Sequence, residues 1–300
     1  MLANESLDLF LAAQASQNHS LRTIQWYRYE VDRFFTWLLA AHLGNGNWLQ
    51  PEVIERYLAD SRASGNQPAT VAGHYRGLRV FFAWMKERRL IEQSPLVDVK
   101  PPKVPKKQPK RAVLDEYVRL LYSLSDSDWI GLRDRLIVNV LFLCGVRLGE
   151  CTRLRAADFR MAEHVLQVDG KTGPRLVPLL PAVERAFVAY VFVRPAWKDD
   201  HLFLSANGGR QPKSVILPGG IYQMLERHCQ AAGMRTLNPH SFRHGLAMLL
   251  LNERHADMSL VQKVLGHSQI STTAAFYAEW LTEGMVKEYT EKMRGVGPKA

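Results

Sequence analysis

Apolar residues in the first 98 positions recur every three or four residues, which is the spacing of one face of a helix. Four such stripes follow one another, separated by turn sequences rich in glycine, asparagine and serine. Ser20 belongs to the residue types that cap helices and precedes the second stripe, while Pro51 opens the third. The fourth stripe covers about Ala69–Arg89. This pattern predicts an all-helical domain of four helices.

The pattern changes in the C-terminal part of the chain. Leu114–Leu124 predicts a short amphipathic helix, and Ile130–Cys144 is apolar on nearly every side, as in a buried helix, with Gly145 at its end. Val165–Val168 and Arg175–Leu179 have the composition of strands and flank an Asp-Gly-Lys-Thr-Gly turn. We therefore predict a mainly α protein with a small β-sheet.

A basic segment separates the two regions. Val99–Arg111 contains four prolines, five lysines, one arginine and no acidic residue. Such a segment prefers an extended form, buries no core and attracts phosphates. It predicts a linker between an N-terminal domain (residues 1–98) and a second domain (residues 112–300). The basic residues of the fourth helix fit a solvated face and a face toward nucleic acid equally well, whereas the one-sided charge of the linker favours nucleic acid. The candidate nucleic-acid contacts are Arg76, Arg79, Lys103, Lys106 and Lys107.

Composition limits the class of protein. Hydrophobic residues make up 47% and charged residues 23% of the chain, as in globular domains, and the net charge of +10 points to a polyanionic partner. The longest nearly apolar run, Leu136–Val146, is too short to span a membrane. Three cysteines without metal-ligand spacing suit reduced thiols. We expect a cytoplasmic, nucleoid-associated protein without a metal or another cofactor.

The most informative stretch is Asn238–Tyr277. Pro239 predicts a helix start there, so His240 and Arg243 would share a face in the first turn, where N–H groups favour an anion. A second helix, with Ser259 as its expected cap, should stop at Gly266 and leave His267 just beyond it. Ser271 could cap a third helix that carries Tyr277. Together these side chains could surround one phosphate, although each alone is more often structural.

Upstream residues supply possible partners for this site. Arg147 and Glu150 lie three positions apart in Gly-Val-Arg-Leu-Gly-Glu, so Glu150 could hold Arg147 by a charge-assisted hydrogen bond. Lys171 lies in the turn of the predicted hairpin. Alone, each feature is weak, because surface Arg–Glu pairs and solvated turn lysines are common. Their order along one chain makes them informative.

With these residues in order, the chain resembles the tyrosine recombinases of the Xer and phage-integrase type. Four sequence motifs carry the resemblance, namely GVRLGE, GKTGPRLVPL, HSFRHGLA and VLGHSQISTT. It implies a catalytic set whose supporting acid is Glu150. The set comprises Arg147, Lys171, His240, Arg243, His267 and Tyr277. His267 and Tyr277 are ten residues apart, one more than in most Xer-type members, and Tyr289 is the only other tyrosine downstream.

The resemblance also implies a function and an assembly. A helical core-binding domain and a catalytic domain would form a C-clamp on double-stranded DNA. The enzyme would cut and rejoin DNA through a 3′-phosphotyrosine without metal or ATP, as a tetramer on inverted half-sites, with or without a second recombinase or an accessory protein. The alternatives are a type IB-like topoisomerase and a non-catalytic, sequence-specific DNA-binding regulator.

The tail carries one further pattern. Leu281, Met285, Tyr289 and Met293 repeat every four residues and predict a C-terminal helix over residues 279–294. Its apolar stripe could pack on its own domain or dock on a neighbouring protomer. We favour the neighbour, because the tail directly follows Tyr277 and the family exchanges such helices.

Overall fold

Helices dominate the protein, as the spacing of its apolar residues predicts, and small sheets complete it. The computed structural model describes residues 3–43, 47–105, 110–170, 173–206 and 211–266. The chain divides into two compact units, Met1–Lys107 and Gln108–Ala300. The predicted class, mainly α with a small β-sheet, is confirmed.

Four α-helices form the first unit, counted over its described residues. They are α1 (Ala3–Ser16), α2 (Leu21–Ala40), α3 (Pro51–Ala63) and α4 (Pro68–Glu87). Ser20 caps α2, because its side chain accepts a hydrogen bond from the backbone N–H of Thr23. Proline occupies the first position of α3 and of α4, where its fixed φ suits a helix and its missing N–H costs nothing. The four predicted helices are therefore confirmed.

The core of this unit is aromatic. Phe10 packs edge-on against Phe81, with ring centroids 5.3 Å apart. Helices α2 and α4 approach closely at Gly77, where an added Cβ would lie 2.6 Å from the Cβ of Glu30. Glu30 is buried there and pairs with the buried His74 at 2.5 Å. Glycine at this crossing makes room for a polar pair inside an otherwise apolar core.

The chain that follows α4 remains packed on the first unit as far as the first residue of the basic segment. Val99, assigned from the sequence to the linker, is buried in this core, and its carbonyl accepts a hydrogen bond from Tyr75 Oη at 3.1 Å. Lys103 is exposed, as are Arg76 and Arg79 on α4. Lys106 and Lys107 lie outside the described residues.

The second unit contains seven helices among the residues described. They are α5 (Leu114–Tyr122), α6 (Trp129–Leu143), α7 (Leu148–Cys151), α8 (Pro181–Val193), α9 (Pro218–Ala231), α10 (Pro239–Met248) and α11 (Met258–Leu265). Helix α6 is buried on nearly every side, as its uniform hydrophobicity predicts. In the part of the chain described here, no helix combines the length and the apolar character needed to cross a membrane.

In the ranges of the second unit that the structure describes, two small antiparallel sheets accompany these helices. Their strands are β1 (Phe159–Arg160), β2 (Val165–Gly170), β3 (Gly173–Pro178), β4 (Leu204–Ser205) and β5 (Ser214–Val215). The first sheet has the order β1-β2-β3, and Gly170 is the partner of Gly173 at the end of the β2–β3 hairpin. The predicted hairpin is confirmed. The additional strands are too short for a sequence pattern to reveal.

Glycines end two of the helices that lead into the site. Gly145 follows α6 with a φ of +60°, and a Cβ there would lie 2.8 Å from side-chain carbons of Leu246 and Leu265. Gly266 ends α11 with a φ of +64°. Both stops were predicted from the sequence, and both require the left-handed conformation that glycine adopts without strain.

One predicted helix start is wrong. We expected Ser259 to cap the helix that became α11, but that helix begins at Met258 and its N-cap residue is Asp257. Aspartate and serine are both favoured at this position, so local sequence does not select between them. The extended backbone of Asp257, with a φ of −61° and a ψ of 144°, marks it as the residue before the helix.

Candidate active site

The site begins with an arginine and a glutamate at the start of α7. Arg147 is the N-cap residue of α7, and Glu150, three positions later, reaches back to it. Glu150 Oε2 accepts from the Arg147 backbone N–H at 2.7 Å, and Glu150 Oε1 accepts from Arg147 Nη1 at 2.8 Å. The predicted charge-assisted pair is present, and it fixes both the backbone and the guanidinium of Arg147.

A second arginine that sequence reasoning missed shares this carboxylate. Arg175 on β3 donates from Nη1 and Nη2 to Glu150 at 3.0 and 2.8 Å. The Glu150 side chain is only 3% exposed and that of Arg175 only 10%. Burial raises the pKa of Glu150, but the hydrogen bonds from Arg175 and Arg147 outweigh it and lower the pKa to about 2. Glu150 is therefore ionised at neutral pH.

Helix α10 supplies the next two site residues. Asn238 caps it by accepting from the Ser241 backbone N–H at 2.9 Å, and Pro239 occupies the first helical position. The helix start predicted at Pro239 is thus confirmed. His240 consequently lies in the first turn, whereas Arg243 begins the second turn on the same face, so the prediction that both lie in the first turn is wrong for Arg243. Arg243 is buried, and its Nη1 donates to the Gly145 carbonyl at 2.6 Å.

Three arginines meet at the C-terminal end of α11. Arg175 Nε donates to the Val264 carbonyl at 3.0 Å. Arg243 Nη2 donates to the carbonyl of Leu265 at 2.5 Å, and Arg147 Nη2 to that of Gly266 at 2.8 Å. Carbonyls at a helix end have no partner within the helix and carry partial negative charge, so they attract cations. Three successive carbonyls thereby hold three guanidiniums together.

The histidines of α10 lie beside these positive charges. Burial and the nearby Arg243 and Arg147 lower the pKa of His240 below its usual value. Burial, His240 and Arg243 lower the pKa of His244, four residues further along, to about 4. Both imidazoles are therefore mainly neutral at pH 7, and a neutral imidazole can accept a proton. Sequence reasoning did not single out His244.

Three predicted site residues, Lys171, His267 and Tyr277, lie outside the described residues. The residues directly before Lys171 and His267 are described. Lys171 follows Gly170, where an added Cβ would lie 2.8 Å from Glu150 Oε1. His267 follows Gly266, whose carbonyl binds Arg147. The structure therefore brings together Arg147, Glu150, His240 and Arg243 of the predicted set, and it adds Arg175. The predicted tail helix over residues 279–294 also lies outside the described residues.

One group of side chains elsewhere has the types needed to bind a metal. Among the described residues, Asp199, Asp200 and His201 bring possible ligand atoms within 4.8 Å of one another. Asp199 accepts from the backbone N–H and from Nδ1 of His201, and Asp200 pairs with Arg155 at 2.9 Å. These exposed carboxylates already have hydrogen-bond and ion-pair partners within the protein.

Comparison with known proteins identifies the family of this chain. The phage integrase family model matches residues 111–283, and the model of the phage integrase N-terminal SAM-like domain matches residues 7–89. The chain is 30% identical over 270 residues to tyrosine recombinase XerD of Proteus mirabilis, covering 87% of this chain and 83% of that protein. It is 29% identical over 282 residues to XerC of Alcanivorax borkumensis, covering 91% and 88%.

A solved structure shares the fold. The XerH site-specific recombinase bound to a palindromic difH substrate, in a post-cleavage complex, matches with a TM-score of 0.73. The match covers 91% of this chain and 81% of that one at 22% identity. The chain belongs to the phage integrase family, and it is a Xer-like tyrosine recombinase, an enzyme of site-specific DNA recombination that cleaves and rejoins DNA.

Proposed function

We propose that the arginine cluster at the end of α11 binds the scissile phosphate of a DNA site and that Tyr277 attacks it. The observation that carries this proposal is that Arg147 and Arg243 bind consecutive carbonyls directly before His267. Two guanidiniums at adjacent positions can approach the nonbridging oxygens of one phosphate from neighbouring directions. Because a guanidinium has five N–H donors, each can hold a carbonyl and still donate to a phosphate oxygen.

The arginines act on the charge that develops during attack. As the Tyr277 oxygen approaches phosphorus, negative charge grows on the nonbridging oxygens, and donors already fixed in place stabilise it without reorganisation. Glu150 and the α11 carbonyls hold Arg147 and Arg243 before DNA arrives, which supports this role. His267, one residue beyond Gly266, would donate a hydrogen bond to the same phosphate.

Two proton transfers complete the cleavage step. His240 would take the proton of the Tyr277 hydroxyl, and its lowered pKa leaves it able to accept one at neutral pH. The new bond joins the tyrosine oxygen to the 3′-phosphate, while the bond to the 5′-oxygen breaks. Lys171 would protonate the leaving 5′-oxygen. The products are a 3′-phosphotyrosine and a free 5′-hydroxyl, so the bond energy is conserved for rejoining.

The partner is double-stranded DNA, and its finer description belongs to the proposal. Arg76 and Arg79 on the exposed face of α4, with the lysines of the linker at Lys103, Lys106 and Lys107, would contact the phosphate backbone. We propose one protomer on each inverted half-site and a tetramer during strand exchange, with the tail of residues 279–294 docking on a neighbour. The proposal holds for an assembly with or without a related second recombinase or an accessory protein.

The proposal is tested with a nicked DNA site that loses a short strand once it is cleaved and so traps the covalent intermediate. We expect a protein–DNA adduct that survives denaturation and forms equally in EDTA. A strict requirement for Mg²⁺, or the absence of adduct on a site that the protein demonstrably binds, would contradict the mechanism. Recombination between two intact sites then distinguishes strand exchange from relaxation of supercoils alone.

Lys171 has a separate test, because its proposed task is to protonate the leaving oxygen. Lys171→Ala is expected to cleave ordinary DNA slowly and to regain most of its rate on DNA with a bridging sulfur at the 5′ position, since a thiolate leaves without that proton. Single-turnover cleavage of both substrates measures this. Equal defects on the two substrates would mean that Lys171 serves binding only.

A further inference from the structure

Arg175 lies on β3 at a position that normally faces the core. Along this strand Pro174, Leu176 and Pro178 are exposed, whereas Val177 is buried and Arg175 is nearly so. A charged side chain on the inward face of a strand is costly unless hydrogen bonds satisfy its donors. Arg175 meets that condition through all three guanidinium nitrogens, which bind Glu150 and the Val264 carbonyl.

Glu150 connects Arg175 to the proposed phosphate-binding residue Arg147. The carboxylate accepts two hydrogen bonds from each of these arginines, and Oε1 is shared by Arg147 Nη1 and Arg175 Nη1. Arg147 is the more open of the two, with its side chain 33% exposed. Arg175 is nearly buried, so it compensates the negative charge of Glu150 from the protein interior. The Arg147 guanidinium then keeps a net positive charge toward the open side.

Arg175 also touches the backbone from which two proposed catalytic residues follow. A Cβ at Gly266, directly before His267, would lie 2.8 Å from Arg175 Cδ and 3.0 Å from its Nε. A Cβ at Gly170, directly before Lys171, would lie 3.3 Å from Arg175 Nη1. Because Gly170 and Gly266 have no Cβ, the backbone at both positions packs directly against the Arg175 side chain. One side chain therefore contacts β2, α7 through Glu150, and the end of α11.

We propose that Arg175 is a positioning residue for DNA cleavage, which orients Arg147 through Glu150 and holds the end of α11 through the Val264 carbonyl. The inference rests on the proposed function of this site. It assigns Arg175 no contact with DNA. Its removal should slow the chemical step while leaving DNA affinity nearly unchanged, because the groups that it holds act on the transition state.

The test uses the full-length protein and single-turnover cleavage of the nicked substrate. Arg175→Met retains most of the side-chain length but no donors, and we expect it to lower the cleavage rate by about 10–100-fold, as for other residues that orient a catalytic group. DNA affinity should stay within about twofold, since backbone contacts elsewhere supply it. Arg160→Met is the matched control, because Arg160 is an exposed arginine of the same sheet that pairs with Glu163. It should cleave normally.

A double-mutant cycle separates positioning from a general loss of stability. If Arg175 acts through Glu150, adding Arg175→Met to Glu150→Gln should lower the rate by less than about threefold more, because coupled residues are not additive. On acidification, cleavage by Arg175→Met should also begin to fall at a higher pH than cleavage by the unchanged protein. Glu150 loses two of its hydrogen bonds in this variant, so its pKa rises and it protonates more readily.

Three results would overturn the inference: cleavage by Arg175→Met at the wild-type rate, additive losses in the cycle, or parallel loss of DNA binding. All rates are measured at a temperature at which circular dichroism shows the variants folded. If Arg175→Met does not fold, Arg175→Lys replaces it, since lysine keeps the charge but cannot bind Glu150 and Val264 together; it should show a smaller loss of the same kind. Failure of the unchanged protein to form any adduct would instead refute the proposed function.

Discussion

Tyr277→Phe is expected to bind DNA like the unchanged protein and to form no covalent protein–DNA adduct. The substitution removes one oxygen atom, and that oxygen is the proposed nucleophile, so no other group can substitute for it in the bond to phosphorus. The aromatic ring itself is retained, and the fold should therefore remain intact. Adduct formation on the nicked substrate and a gel-shift assay on the same DNA measure the two properties.

Tyr289→Phe is the matched control for this experiment. Tyr289 is the only other tyrosine after His267 in the sequence, and it belongs to the predicted apolar stripe of the tail. We expect Tyr289→Phe to form adducts normally. If adducts persist in Tyr277→Phe and disappear in Tyr289→Phe, the nucleophile has been assigned to the wrong tyrosine, while the recombinase mechanism itself stands.

Arg243→Ala is expected to lower the cleavage rate by on the order of 10²–10³, the usual effect of losing one fixed donor to a developing oxyanion. DNA binding should change much less, because many phosphate contacts contribute to it. The Arg243 guanidinium is held by the carbonyls of Gly145 and Leu265, so its removal also loosens α11 against the end of α6. Single-turnover cleavage at saturating enzyme isolates the chemical step from binding.

Arg194→Ala controls for that structural loss. Arg194 is a partly buried arginine of the second unit, and like Arg243 it donates to backbone carbonyls, among them those of Leu202 and His201. Removing it costs comparable backbone hydrogen bonds, but it is not among the residues gathered at the end of α11. We expect Arg194→Ala to lose stability and to retain cleavage. Near wild-type cleavage by a folded Arg243→Ala would exclude Arg243 from the proposed role.

Local chemistry explains which parts of the fold were predictable. Ser20, Pro51 and Pro239 act within one helical turn, so the helix starts that they mark follow from the sequence. Gly145 and Gly266 end their helices because only a residue without Cβ adopts a positive φ cheaply. The start of α11 was assigned wrongly, because aspartate and serine are both favoured as N-cap residues and the local sequence does not select between Asp257 and Ser259.

The sequence by itself determined the helical character of both units, the β2–β3 hairpin and the pairing of Arg147 with Glu150, because each depends on residues close in the chain. Only the tertiary structure decided that Arg147, Arg175 and Arg243 hold three successive carbonyls at the end of α11. Arg175 and Val264 are 89 positions apart, and Arg147 and Gly266 are 119 apart. Side-chain periodicity carries no information about such distant pairs. The one local signal for Arg175 is a charged residue at an inward-facing position of β3. Its hydrogen bond to the Val264 carbonyl depends on the packing of α11 against the sheet, which the sequence pattern does not give.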